Sequence, residues 1–220
     1  MDKEEQENIQ QLGTAAPASI HCVTIIGQVE GHQTLPEDTK TTKYEHVMPL
    51  LAAIEETPEI KGVLLLLNTV GGDVDAGLGI AELIAGLTKP TASLILGGGH
   101  SIGVPLAVAA KRSFIAPSAA VTLHPVRLTG VVLGAPQTYR YLEQMQERIV
   151  GFITGHSHIP KAVLMDYMLA TDALATDTGT VITGAEAVQS GLIDRLGGLS
   201  DALSWLHGEI DAQQDEPEQN

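Results

Sequence analysis

The sequence predicts an α/β fold, a single domain in which mostly parallel strands spiral and are joined by crossover helices. Continuous aliphatic runs such as 62–67 suit strands that are buried on both faces of a sheet. These runs alternate with amphipathic segments, the pattern of parallel strands joined by helices. The 220 residues are 44% apolar and 3% aromatic, which fits one domain with an aliphatic core.

The first half of the chain follows this alternation. Residues 20–29 are rich in β-branched side chains and predict the first strand. Apolar residues at i, i+3 and i+4 spacing predict a helix over 44–56. The next predicted elements are a strand at 62–67, a turn from Asn68, a helix at 76–87 and a strand at 91–96.

The second half begins with a glycine-rich segment, 97–103, that leads into a helix extending to about Lys111. Thr183 and Glu186 have the spacing of a capping box, which predicts the start of a short helix that stops at Gly191. The other predicted elements are strands at 113–116, 120–123 and 192–194 and helices at 137–155, 160–170 and 200–206.

The two ends of the chain differ in composition from the middle. Residues 1–19 are polar and then rich in alanine and proline, which predicts a flexible leader. Residues 208–220 are acidic and predict a disordered tail. The sequence therefore predicts one folded domain over 20–207.

Composition limits the partners and the compartment. The net charge of −15 argues against a nucleic-acid partner, which needs clustered Lys and Arg. We expect no signal peptide, because the acidic N-terminus lacks a basic n-region and an apolar h-region. We expect no membrane span, because no apolar run approaches about 20 residues. The single cysteine, Cys22, fits a cytoplasmic location and is expected in the core. The low fraction of charged residues, 18%, suggests surface buried against copies of the chain.

Ser101 is the candidate nucleophile. It follows three glycines that allow positive φ and close approach, and it precedes an apolar, alanine-rich helix. Helix starts present unpaired N–H groups that favour negative charge. A serine needs a base to be nucleophilic at neutral pH, and oxyanion donors to stabilise the intermediate. His124 follows the next predicted strand, where it fits a general base and a strand-end histidine bonded to the backbone equally well.

Four motifs in this order resemble the Clp protease proteolytic subunit family, the ClpP-like serine peptidases. They are the glycine motif at 68–77, the nucleophile motif at 97–103, the histidine motif at 121–125 and, at 183–194, the segment that follows the catalytic acid. The resemblance covers about 20–206 and is greatest to the translocation-enhancing branch of the family. It implies the ClpP/crotonase-like spiral fold. The long helix from Gln137 and the low charge suggest a ring-forming homo-oligomer, and we expect no cofactor or metal.

The resemblance also implies roles for individual residues. Ser101 is the implied nucleophile and His124 the implied general base. The N–H groups of Gly72 and Ile102 are the implied oxyanion hole.

The acid is a separate question, because the resemblance places Gly179 where the family has an aspartate. Asp177, two residues earlier, is our choice of acid. Asp172, or no acid at all, is the alternative.

The sequence departs from the family beside the nucleophile and the base. His100 stands where the family usually has a small residue, and it is expected to face the substrate, bond locally or compete for the serine hydroxyl. The segment 127–136 differs from the glycine-rich stretch that binds extended substrate in the family. Substrate preference therefore does not carry over. The front of the chain is also unusual for the family, so docking to an ATPase does not carry over either.

Other patterns are weaker. Residues 99–103 fit the G-x-S-x-G elbow of α/β-hydrolases, a fold that would need His156, His158 or His207 as base. The missing third glycine, at Ile102, argues against a dinucleotide fingerprint. His156 and His158 diverge on a helix and lack a third metal ligand.

The sequence thus predicts a serine endopeptidase that cleaves peptide bonds of short or unfolded polypeptides, with a possible link to protein translocation or signal-peptide processing. The alternatives are an α/β-hydrolase-type esterase and a non-catalytic assembly or binding protein with the same fold.

Overall fold

The computed structural model describes residues 18–128, 134–172 and 178–215. Within these ranges the strands are β1 Ile20–Glu30, β2 Thr41–Lys43, β3 Gly62–Gly72, β4 Thr91–Gly99, β5 Arg112–Ile115, β6 Ala120–Leu123, β7 Thr180–Thr183 and β8 Arg195–Leu196. The helices are α1 Tyr44–Glu56, α2 Val74–Gly86, α3 Gly103–Val108, α4 Ala135–Gly155, α5 Lys161–Leu169, α6 Gly184–Gln189 and α7 Leu199–Asp215.

The strands form a mostly parallel sheet, as predicted. Its order is β2-β1-β3-β4-β5-β8, and all of these pairs are parallel. β6 pairs with the end of β4 at Gly98 and Ala120, and runs antiparallel to β7. The helices connect successive strands, so the predicted α/β class with crossover helices is confirmed.

The glycine motifs extend strands rather than forming the predicted turns and loops. β3 continues through Gly72 and β4 through Gly99, although their registers shift near these ends. α3 accordingly begins at Gly103, two residues after the candidate nucleophile. The last short strand is Arg195–Leu196 instead of the predicted 192–194.

The core is aliphatic, and most of it lies between one sheet face and helices α1 to α6. α7 covers part of the opposite face, where it packs Ala202 and Leu206 on side chains from β3, β4 and β5. This helix continues through Asp215, so residues 208–215 of the predicted tail are helical. The expectation that Cys22 is a core residue was wrong, since β1 directs its side chain to the uncovered part of that face, where it is exposed. None of the described helices is long and apolar enough to cross a bilayer.

Candidate active site

A cavity of about 120 Å³ lies where β3, β4 and β6 end. Parallel strands bring their carboxyl ends to one edge of a sheet, and this edge is where ligands of α/β proteins bind. Gly72 is the last residue of β3, Ser101 and Ile102 follow β4, and His124 follows β6. These four residues, which the sequence analysis gave as candidate site residues, all line the cavity.

Ser101 sits in a strained backbone conformation between β4 and α3. Its φ is 58°, the one positive φ outside glycine among the described residues. Its N–H donates to the carbonyl of Thr122 at 2.9 Å, and its carbonyl accepts from the N–H of Val104 at 3.0 Å. Left-handed φ at a non-glycine residue persists only when neighbouring contacts enforce it, and it is frequent at functional sites.

Gly71 gives the Ser101 side chain its space. A Cβ atom on Gly71 would lie 2.6 Å from the Ser101 Cβ atom and 3.1 Å from its Oγ atom. Gly71 itself has a φ of 94°, and its N–H donates to Thr69 Oγ1 at 3.0 Å. Gly71 therefore makes room for the serine. The sequence analysis had assigned a role only to its neighbour, Gly72.

The two predicted oxyanion donors are on the cavity wall. The N–H of Ile102 lies between the bonded N–H groups of Ser101 and Gly103, and it has no acceptor among the described residues. The Ile102 side chain is 2% exposed and packs against Gly77 of α2, which anchors this turn. Gly72 lines the cavity at the end of β3.

His124 is half-buried immediately after β6, and its ring has a defined tautomer. The Nδ1 atom lies 2.7 Å from the carbonyl oxygen of Pro125. A carbonyl oxygen only accepts, so Nδ1 carries a proton, and in the neutral ring the lone pair is then on Nε2. Among the described residues, no hydrogen bond joins the ring to the Ser101 hydroxyl. Catalytic hydrogen bonds are often long or poorly aligned in substrate-free active sites.

No carboxylate is bonded to His124 in the part of the chain that the structure describes. The chosen acid, Asp177, falls outside the described residues. Asp172 is exposed just after α5 and does not line the cavity. Gly179, where the resemblance places the family's aspartate, packs its backbone against His124.

The remaining cavity wall is mainly apolar. α4 contributes Ile149 and Ile153, α5 contributes Met168, and the segment around His124 contributes Leu123 and Val126. Periodicity predicted the two helices, but it did not indicate that their apolar faces meet beside Ser101. These side chains fit an apolar group of a substrate.

His100 bonds locally and is not part of the cavity wall. Its Nδ1 atom lies 2.7 Å from Thr122 Oγ1, while its N–H donates to the carbonyl of Thr69 at 3.1 Å. Its ring lies over Gly98, where a Cβ atom would be 2.3 Å from Nε2. Burial lowers the pKa of the His100 imidazole. Thr122 thus holds both His100 and Ser101.

A second group of Ser, Asp and His side chains has the wrong order for catalysis. Asp194 Oδ2 accepts from the N–H of Ser113 at 2.8 Å and lies 3.1 Å from its hydroxyl, and Asp194 Oδ1 is 3.9 Å from His158 Nε2. Because the carboxylate stands between serine and histidine, the His158 imidazole is not bonded to the Ser113 hydroxyl, as a Ser-His-Asp triad requires. This group instead ties β5 to the segment before β8.

The histidines required by the α/β-hydrolase alternative lie elsewhere. His156 stacks on Phe152 at the end of α4, and His158 and His207 are exposed. None of the three lines the Ser101 cavity. In the described ranges, no three His, Cys, Asp or Glu side chains are grouped so that they could hold a metal ion.

Comparison with known proteins identifies the family of the chain. The family model described as Clp protease matches residues 18–198. The chain belongs to the Clp protease family. It is 54% identical over 213 residues to the translocation-enhancing protein TepA of Halalkalibacterium halodurans, covering 94% of this chain and 83% of that protein.

More distant Clp protease family members carry a peptidase name. The ATP-dependent Clp protease proteolytic subunit 1 of Protochlamydia amoebophila is 29% identical over 145 residues, covering 65% of this chain and 68% of that protein. The corresponding subunit of Chlamydia pneumoniae is 25% identical over 140 residues, covering 61% and 69%. The predicted membership of the family is thereby confirmed.

Proposed function

We propose that this member of the Clp protease family is a serine peptidase that cleaves peptide bonds of short or unfolded polypeptides. One observation carries the proposal. Ser101, held at a φ of 58°, shares a cavity with His124, whose Nδ1 atom is bonded to the Pro125 carbonyl, which leaves Nε2 as the nitrogen that accepts a proton in the neutral ring. A hydroxyl and an imidazole in this relation are the two groups that acyl transfer requires.

In the proposed reaction the Ser101 hydroxyl attacks the substrate carbonyl carbon while His124 Nε2 accepts its proton. The N–H groups of Ile102 and Gly72 donate to the oxyanion of the tetrahedral intermediate. His124 then protonates the leaving amine, which leaves an acyl group on Ser101. A water molecule, deprotonated by the same ring, releases the second product.

Asp177 is the proposed acid for this reaction. The Pro125 carbonyl holds the ring in the correct tautomer, but a neutral dipole stabilises an imidazolium less than a carboxylate does. In the proposed arrangement the Asp177 carboxylate supplies the charge that the developing imidazolium needs.

The cavity supports a substrate with an aliphatic side chain. Its volume of about 120 Å³ is somewhat smaller than the roughly 150 Å³ apolar cavity that accommodates a benzene molecule. A leucine or methionine side chain is therefore favoured on the residue before the cleaved bond, and tryptophan or aspartate is disfavoured. Fluorogenic peptides that differ only at this residue test the preference.

We further propose that the chain works as a homo-oligomer in protein translocation. Ile26, Val70 and Leu96, on three neighbouring strands, are 50%, 64% and 38% exposed, which is typical of an interface. The relative from Halalkalibacterium halodurans is named for enhancing translocation. Native mass spectrometry tests assembly, and secretion by a deletion strain complemented with wild type or Ser101→Ala tests the second part.

The decisive experiment is covalent labelling of the purified full-length chain with a fluorophosphonate probe. Wild type is expected to be labelled at Ser101, and Ser101→Ala to lose the label. We expect His124→Ala to reduce the rate by at least about a thousandfold, since the two groups act as a unit. Ser204→Ala, which alters an exposed serine on α7, is the matched control and should react like wild type.

A non-catalytic assembly or binding protein is the second candidate. The unbonded Ser101 hydroxyl and the absence of a carboxylate on His124 among the described residues favour it. An assembled wild-type sample that is neither labelled nor active on peptides would support this candidate over the peptidase.

A further inference from the structure

The peptide group between Pro125 and Val126 is bonded at both ends. Its carbonyl oxygen accepts from His124 Nδ1 at 2.7 Å. Its N–H donates to Oε1 of Gln146 at 2.8 Å. Gln146 lies on α4, which packs beside the cavity, so one peptide plane joins the candidate base to a helix side chain.

The Gln146 amide is itself fixed in one orientation. Its Nε2 atom donates to Met168 Sδ at 3.4 Å, on the neighbouring helix α5. The thioether only accepts, so the amide nitrogen faces Met168 and the amide oxygen faces the Val126 N–H. The side chain is half-buried between the two helices.

We propose that Gln146 is a positioning residue for His124, acting through the Pro125–Val126 peptide. By accepting from the Val126 N–H it fixes the plane of this peptide and polarises its carbonyl. A carbonyl polarised at its N–H accepts a stronger hydrogen bond, because bonds in a chain reinforce one another. The result is a ring held with Nδ1 protonated and Nε2 directed to the serine side.

This inference rests on the proposed peptidase function for its kinetic consequences. It also has a structural consequence that does not depend on activity, since it concerns the tautomer and the pKa of His124. It further implies that the Val126 N–H is already bonded and is not a donor for extended substrate.

Two substitutions at Gln146 test the proposal in opposite directions. Gln146→Leu removes the acceptor, and we expect a labelling rate and kcat lower by about five- to tenfold, the effect of one hydrogen bond, with KM little changed. Gln146→Glu keeps an acceptor and adds a negative charge, which raises the pKa of the imidazole. The acid limb of the pH–rate profile should therefore move to higher pH in Gln146→Glu and to lower pH in Gln146→Leu.

Glu143→Gln, an exposed change on α4 one turn earlier, is the matched control and should leave rate and profile unchanged. Circular dichroism and urea unfolding identify variants that fail to fold. A pH profile that is identical in folded Gln146→Leu, Gln146→Glu and wild type would overturn the proposal.

A readout without activity separates this inference from the proposed function. In ¹⁵N-histidine spectra, the His124 signals are assigned by their loss in His124→Gln. We expect the Nδ1-protonated tautomer in wild type and Gln146→Glu, and a mixture of tautomers in Gln146→Leu. If wild type is unlabelled but these spectra differ as expected, the peptidase function fails and the positioning role stands. Spectra that are unchanged in Gln146→Leu would contradict the positioning role and leave the proposed peptidase function unaffected.

Discussion

A Cβ atom on Gly179 would lie 2.8 Å from the Cβ atom of His124 and 2.4 Å from the carbonyl oxygen of Leu123. The Gly179 backbone has a φ of 131°, and its N–H donates to the carbonyl of Ala170 at 2.8 Å. The position where the resemblance expects the acid thus packs backbone against the candidate base. A side chain there has neither the space nor the backbone conformation it needs.

Gly179→Ala is expected to destabilise the fold and displace His124. We expect the free energy of unfolding to fall by about 1–3 kcal/mol, because an alanine there would have a strained backbone and its methyl group would clash with Leu123 and His124. Urea denaturation measures this loss, and probe labelling should slow as well. Gly151→Ala is the control: a Cβ atom there meets nothing within 4 Å, so this helical site should become more stable by about 0.5–1 kcal/mol. A Gly179→Ala variant with the wild-type free energy of unfolding would contradict the close contact between Gly179 and His124.

Asp177→Asn tests the proposed acid. Removing the aspartate of a Ser-His-Asp triad lowers kcat by about 10⁴-fold, largely through the wrong tautomer. Here the Pro125 carbonyl already selects the tautomer, so we expect a smaller loss of about 10- to 100-fold. Steady-state peptide hydrolysis measures it, with Asp172→Asn as control. Wild-type rates in both variants would mean that neither carboxylate stabilises the His124 imidazolium.

Gly71→Ala is expected to remove activity through the nucleophile itself. The added methyl group would lie 2.6 Å from the Ser101 Cβ atom, and the backbone at a φ of 94° disfavours any side chain. The serine must then move away from His124, and labelling should fall below detection. Gly79→Ala, on the open side of α2, is the control and should react like wild type. Normal labelling of Gly71→Ala would mean that the close packing of Gly71 against Ser101 is not required for the reactivity of the serine.

The fold and the place of the candidate site were predictable from local signals. Aliphatic runs and helical spacing predicted most elements, and the strand-end positions of Ser101 and His124 predicted that both lie at one edge of the sheet, where they line one cavity. Strand register leaves no comparable local signal in the sequence. The extension of β3 through Gly72 and the exposure of Cys22 were therefore not predicted. Cys22 lies in a run that reads as buried, and only the position of α7 decides which part of that sheet face is covered.

The contacts that orient the base were less accessible still. Pro125 contributes a carbonyl, which every residue has, and Gln146 lies 20 residues beyond Val126. A hydrogen bond between a backbone group and a distant amide leaves no spacing or composition signal. Thr122 is similar, because its bonds to His100 and Ser101 depend on the pairing of β6 with the end of β4.

His100→Asn is expected to weaken the dependence of stability on pH. Burial lowers the pKa of His100 in the folded chain, whereas the unfolded value is about 6.5. Between these two values the unfolded chain binds more protons, so the free energy of unfolding rises with pH. This contribution is therefore full above the unfolded pKa and is lost as the pH falls below it, toward the lowered folded pKa.

Asparagine suits this test, because its amide nitrogen replaces the Nδ1 atom that contacts Thr122 Oγ1. Urea unfolding at several pH values on both sides of about 6.5 should give a shallower slope for His100→Asn than for wild type. Burial also lowers the pKa of His21, so part of the slope should persist and should decrease further in a His21→Asn, His100→Asn double variant. If the single variant keeps the full wild-type slope, the half-buried His100 ring does not oppose acid unfolding, and the pH dependence arises from other groups.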